Sequence, residues 1–360
     1  MGAAAEVAFR CGPVVNQILL CLPVEDLLSC ARFDALWEEA TLPLLAKRLR
    51  FFALLEDKND ISHVSEPFAG ELQNRLRVSR RAWRHPAVAI VLCSDKHFDT
   101  GCLASCFPDD TSVVRIDVSG PTWMLYRGLE ETRAARLCVL VLFESLGAEF
   151  ETEWSPFVSC RRPETRAVLF NRLARRIDPS TYKVTFHHPR TNEPARFAFY
   201  ATSAFTVRAF INSPRMDYMA SCVLWTPCLR VLNPPCRSRS LPHAFWGAVT
   251  FGENVRAASA KYKGFTTVLQ MTEHLEIVRS GFGNLDNALV LVFQEDHLNK
   301  LVMKAIRDVF AGAAAILGTA CSVGLDESSY VFVFEVGEDI ETSDTLETPV
   351  IVTVLNIPLK

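Results

Sequence analysis

No apolar run in this sequence is long enough to cross a bilayer. The longest, such as Leu137 to Phe143, are strand-length, whereas a spanning helix needs about 20 consecutive apolar residues. An excess of one charge is also lacking: 38 Lys and Arg face 41 Asp and Glu, for a net charge of −3. That balance excludes a global pull toward nucleic acid or an anionic membrane. Residues 1–10 carry Glu6 and no basic segment leading into an apolar stretch, so no secretory signal is expected. Position 6 is Glu where a myristoylation motif wants Ser or Thr. A disulfide framework is missing as well. The 12 cysteines are scattered, and several sit inside apolar runs, as Cys93 and Cys138 do, which is how reduced, buried thiols look. There is no internal repeat at a solenoid period. These absences describe a soluble, intracellular chain whose partners must be argued from local features.

What is present divides the chain in two. Of its 360 residues 49% are hydrophobic and 22% charged, enough to bury a sizeable core. Residues 12 to about 55 are leucine-rich, with apolar positions at helical spacing. Val14, Val15, Ile18 and Leu19 form one stripe and Val24, Leu27, Leu28 and Ala31 another; Leu36, Trp37 and Ala40, then Leu42, Leu45, Leu49 and Phe52, follow. Pro13 and Pro23 suit first helical turns, and Glu25 and Asp26 suit the positive end of a helix dipole. The spacing predicts a bundle of short helices over 10–55. From Ser65 to Pro86 the chain is polar and basic, with Arg75, Arg77, Arg80, Arg81 and Arg84; residues 56–86 read as a linker or a solvated helix.

Beyond Pro86, β-branched and aromatic runs predict strands at Ala87–Cys93, Val113–Val118, Cys138–Phe143, Tyr182–Phe186, Phe197–Tyr200, Thr206–Ile211, Trp246–Phe251, Phe265–Leu269, Ala288–Phe293, Tyr330–Phe334 and Val350–Leu355. Helices are predicted at Glu164–Ile177 and Asp296–Phe310. The second of these lies between Ala288–Phe293 and Ala313–Leu317, which predicts parallel strands joined by a right-handed crossover. The expected fold class is α+β: a small N-terminal all-α bundle, then a larger mixed-sheet α/β domain over 87–360. Pro234-Pro235 and its neighbours place an internal boundary near 228–242.

Catalytic and metal chemistry find little footing. Gly312, Gly318 and Gly324 fit neither the dinucleotide fingerprint nor the P-loop, and no Lys-Ser or Lys-Thr follows them. His97, Cys102 and Cys106, or Cys222, Cys228 and Cys236, lack the tight, matched pairs of structural zinc. Cys321 has no nucleophile signature around it, although His187, His188, His274 and His297 occur elsewhere. No catalytic residue, metal or cofactor is therefore assigned. Arg161, Arg162, Arg166, Arg172, Arg175 and Arg176 cluster on and before the first predicted helix; a solvated face is the simpler reading, and an acidic protein surface the functional one. The acidic stretch Glu335 to Glu347 reads as an exposed loop.

The segment from Gly12 to Trp37 resembles an F-box. Leu22, Pro23, Asp26, Leu27, Leu28 and Trp37 fall in register with that family's pattern of Leu-Pro, an acidic position, Leu-Leu and a Trp about ten residues on. Gly12-Pro13 stands where the family opens on Leu-Pro, and Phe33-Asp34 where it has Val-Cys. The remainder resembles the FIST domain found in some F-box proteins, through Ala87 to Leu92, Asn287 to Phe293, a helix, and Ala315 to Gly318. The resemblance implies a non-catalytic substrate receptor of an SCF-type ubiquitin ligase in the cytoplasm or nucleus. It would dock on the Skp adaptor, and through it on a cullin scaffold and a RING subunit. Carried over by position, Leu22, Pro23, Leu27 and Leu28 would form the adaptor interface, with Ile18 and Trp37 at it or in the bundle core. Substrate-binding residues are not assigned. The alternative is an intracellular sensory domain that binds a small ligand and has no ligase role.

Overall fold

The computed structural model describes residues 11–56, 63–126, 133–145, 148–155, 174–178, 183–188, 190–202, 220–226, 228–232, 245–262, 266–295, 299–323 and 350–357. The predicted strands at Thr206–Ile211 and Tyr330–Phe334 and the acidic stretch Glu335 to Glu347 lie outside these residues.

The apolar runs become strands with both faces buried, which is why they read as nearly continuous hydrophobics. In β2 (Pro86–Cys93), Val88, Ile90 and Leu92 enter one core while Ala89, Val91 and Cys93 enter another. β2 lies at the centre of a sheet ordered β1 (Phe51–Glu56), β6 (Leu137–Phe143), β2, β3 (Ser112–Asp117), β12 (Leu229–Val231). A second sheet is ordered β14 (Arg256–Tyr262), β18 (Val350–Asn356), β15 (Ala288–Gln294), β16 (Ala315–Ala320), β4 (Thr122–Tyr126), β5 (Arg133–Ala135). β15 repeats the alternation, with Leu289, Leu291 and Phe293 in the shared central core and Ala288, Val290 and Val292 in an outer one. A third sheet runs β17 (Ser322–Val323), β11 (Ala220–Trp225), β10 (Phe197–Thr202), β13 (Phe245–Phe251), β7 (Glu149–Ser155). It contributes Phe199 and Trp246 to the central core. A separate antiparallel pair joins β8 (Ala174–Asp178) and β9 (Lys183–His187).

The first two sheets share one wiring. In the first, β1 and β6, then β6 and β2, pair antiparallel, β2 and β3 parallel, and β3 and β12 antiparallel. In the second, β14, β18, β15, β16 and β4 follow the same sequence of directions. The helices match too: α4 (Glu66–Arg81) lies between β1 and β2, and α5 (Val268–Ser280) between β14 and β15. A 3₁₀ turn at Gly101–Cys106 links β2 to β3, where α6 (Lys300–Val309) links β15 to β16. The parallel β15–β16 pair with its crossover helix is as predicted. The duplication has no counterpart in a sequence repeat.

The three short helices of the N-terminal bundle are α1 (Gly12–Leu20), α2 (Val24–Cys30) and α3 (Ala35–Arg48). The class is as expected, a mixed α/β chain opening on a small helical region. Five details differ. Residues 51–55, placed with the bundle, form β1 of the first sheet together with Glu56. The expected linker over 56–86 contains α4, which buries Phe68, Leu72 and Leu76 at i, i+4 and i+8 against the first sheet; its arginines masked that stripe. Residues 228–242 do not divide two units, because β13 beyond them pairs with β10 before them; Pro234 and Pro235 themselves lie outside the described residues. Of the predicted strand Phe265–Leu269, the residues from Val268 on are helical. Thr267 caps α5 there, exchanging side-chain bonds with Gln270 at 3.1 and 3.0 Å, a capping box that overrides the β-branched run. Within Glu164–Ile177, residues 174–177 belong to β8, and the rest lies outside the described residues.

Candidate functional site

α3 begins at Asp34, whose carboxylate accepts from the Trp37 backbone N–H at 3.0 Å. The residue that departs from the F-box pattern is thus a good N-cap. α3 carries two apolar rows. Trp37, Thr41 and Leu45 point inward and are buried, while Leu36, Ala40 and Leu44 are half-buried. A helix with so wide an apolar face is made to be covered on two sides. α1 repeats the arrangement, burying Val15 and Leu19 while Val14 and Leu20 face outward, Leu20 at 56% exposure.

Leu20 of α1 and Leu36, Ala40 and Leu44 of α3 line an open groove of about 510 Å³, together with Pro43 and Glu39. Pro43 has no N–H to offer the Glu39 carbonyl one turn earlier. The groove therefore combines aliphatic walls with a backbone acceptor. Phe33 lies on the same bundle at 72% exposure, its ring edge-on to Trp37 at 5.8 Å.

The residues expected at the adaptor interface divide three ways. Leu27 and Leu28 are 0% and 1% exposed; as core residues they cannot present themselves to a partner, a correction to the expected interface, while buried Trp37 takes the core alternative. Leu22 and Ile18 are half-buried and pack against the same core. Pro23 faces the other way, into a cavity at the seam between the bundle and the sheets. The apolar surface belongs instead to Val14, Leu20, Phe33, Leu36 and Leu44. Their signal in the sequence was their surplus: Val14, Leu20, Leu36 and Leu44 are apolar residues beside, not on, the buried stripe of their helices, and Phe33 is apolar in the turn between α2 and α3.

The bundle is locked to α4 by charge. Arg75 pairs with Glu25 of α2 and, at 2.9 Å, with Glu71 of its own helix. Arg81 and Arg77 reach Glu38 of α3, and Arg32 reaches Glu71. Burial pushes the Glu25 carboxyl above its ordinary range against the pull of Arg75. Of the basic stretch that read as solvated, Arg75 is turned inward against the bundle, while Arg77, Arg80 and Arg81 stay exposed. The bundle and the outer face of the first sheet share one hydrophobic core, from Val15 and Leu27 through Leu72 to Val91 and Phe143.

Elsewhere the alternatives weighed from sequence acquire positions. Cys321 is sealed in the central core, where burial holds its thiol protonated, and burial pushes Cys222 up to about 12. His188 donates or accepts locally, with Nε2 2.9 Å from Glu149 and Nδ1 accepting from the Thr191 N–H at 3.1 Å. Among the described residues, no group of three or more His, Cys, Asp or Glu is arranged to hold a metal, and no helix is long and apolar enough to cross a membrane. Of the Arg161–Arg176 cluster only residues 174–176 are described, in β8. A scan against protein-family models finds no match to this chain, and a search of curated proteins finds no significant relative.

Proposed function

We propose that the protein is a substrate receptor of an SCF-type ubiquitin ligase, docking on the Skp adaptor through its N-terminal bundle. The observation that carries this reading is the coincidence of an F-box-like segment with an unfilled apolar groove between α1 and α3. Its contribution would be proximity: a substrate held on the α+β domain, near a ubiquitin-charged partner, meets it at raised effective concentration. The interface is moved from Leu27 and Leu28 to Leu20, Leu36, Leu44 and Phe33.

Co-expression of the full chain with the Skp adaptor, followed by size-exclusion chromatography, tests it. Co-elution is expected, and the double variant Leu20→Asp/Leu44→Asp is expected to lose it. Each substitution would bury an unpaired carboxylate in the apolar interface, so the pair should weaken binding by roughly 100-fold or more while circular dichroism stays unchanged. A wild-type chain that elutes alone, or a double variant that still co-elutes, would end the receptor reading.

A further inference from the structure

The seam between the bundle and the sheets encloses a cavity of about 390 Å³, within the size class that takes small organic ligands. Arg50, at the junction of α3 and β1, lines it while only 5% exposed. Its Nη1 donates to the Leu49 carbonyl at 3.1 Å, and its Nε is sealed from solvent with no acceptor. Among the described residues no carboxylate pairs with it. Glu25, in the same wall, is taken by Arg75, and Asp286 accepts from Asn284 at 3.0 Å. Burial, with added repulsion from Arg84, pushes the Arg50 guanidinium down to about 10, the mark of a buried cation without its counter-charge. Such a charge is ordinarily paired or absent.

The other walls narrow the ligand. Phe51, Val24 and Ala314 supply apolar surface, and Asn287 an amide. Glu25, Asp26 and Asp286 also line the cavity, with Arg48 as a second cation; three carboxylates against two guanidiniums repel a dianion more than a single carboxylate, which disfavours phosphate. We propose that this cavity binds a small monocarboxylate, its carboxylate paired with Arg50 and its organic body against Phe51 and Ala314. The site is separate from the α1–α3 groove and goes beyond the receptor reading, since it stands or falls without the adaptor.

Thermal-shift and calorimetric titrations of the full chain with acetate, butyrate, benzoate and phenylacetate test it. Inorganic phosphate and butyramide serve as controls, with ionic strength held by chloride. At least one monocarboxylate is expected to bind with one-to-one stoichiometry and raise Tm, while butyramide and phosphate do not. Arg50→Gln is expected to weaken that binding at least tenfold. Ala314→Phe, which fills the cavity and keeps Arg50, should abolish it, and Asp26→Asn at the exposed rim should tighten it. No binding by any of the four acids, binding unchanged in Arg50→Gln and Ala314→Phe, or a response to phosphate alone would overturn the proposal.

Discussion

Trp83 occupies a position where helices ordinarily place glycine. It follows the last turn of α4 with φ of 56°, and the bonds around it, Trp83 N–H to Arg80 and Arg84 N–H to Ser79 at 3.0 and 2.9 Å, form the Schellman closure. A side chain with a Cβ is strained there, and this one is 85% exposed, so it returns little packing. Trp83→Gly is therefore expected to stabilise the protein by roughly 0.5–1 kcal/mol, read as a higher urea midpoint with unchanged slope. A drop in stability would mean that the indole packs where the structure shows it free. At this scale the sequence was partly legible. Asp34 and Thr267 are caps of ordinary type, and Gln270 three residues after Thr267 announces a helix. The β-branched pair Thr266-Thr267 and Val268 pointed the other way, and the cap won.

Among elements, α5 shows how a polar contact can make packing depend on pH. It is pinned to β14 by Tyr262 and His274, whose Oη and Nδ1 lie 2.9 Å apart. Burial lowers the His274 pKa from its ordinary 6.5, so the folded state prefers the neutral ring. For a base lowered on folding, the unfolded chain binds more protons, and stability rises with pH through that window. The contribution is present above about 6.5 and is lost as pH falls through the folded value. His274→Phe is expected to flatten the decline in Tm between pH 7.5 and 5; an equally steep decline in the variant would place the titrating group elsewhere. Strands buried on both faces were easy to read, since β2, β6 and β15 are apolar at nearly every position. β7, with Glu149, Glu151 and Glu153, and β14, with alanines and Lys261, lacked that mark and were missed. The groove residues escaped because an inward stripe is sought first, and Leu20 and Leu44 lie beside it.

The whole molecule joins its helical opening to its sheets without a hinge. α3 ends at Arg48 and β1 starts at Phe51, and the bundle core runs on into the first sheet. The helical bundle is thus a cover on the first sheet rather than a detachable unit. Removing residues 1–50 should leave Phe52, Leu72 and Val91 facing water, a patch large enough to drive association. The truncated chain is expected to be insoluble or aggregated on size-exclusion chromatography, and a monodisperse product would show the bundle to be autonomous. The doubled wiring of the two main sheets was invisible in the sequence for a physical reason. Topology constrains direction and burial but leaves side-chain identity free, so two halves can share a path with no shared motif.

β18 lies between β14 and β15, in the interior of the second sheet, although its residues follow theirs by more than fifty positions. During synthesis the strands on either side must wait for it. A ribosome halted before residue 350 would hold a nascent chain with two unpaired apolar edges, and slow translation of that stretch would lengthen the time a chaperone must shield them.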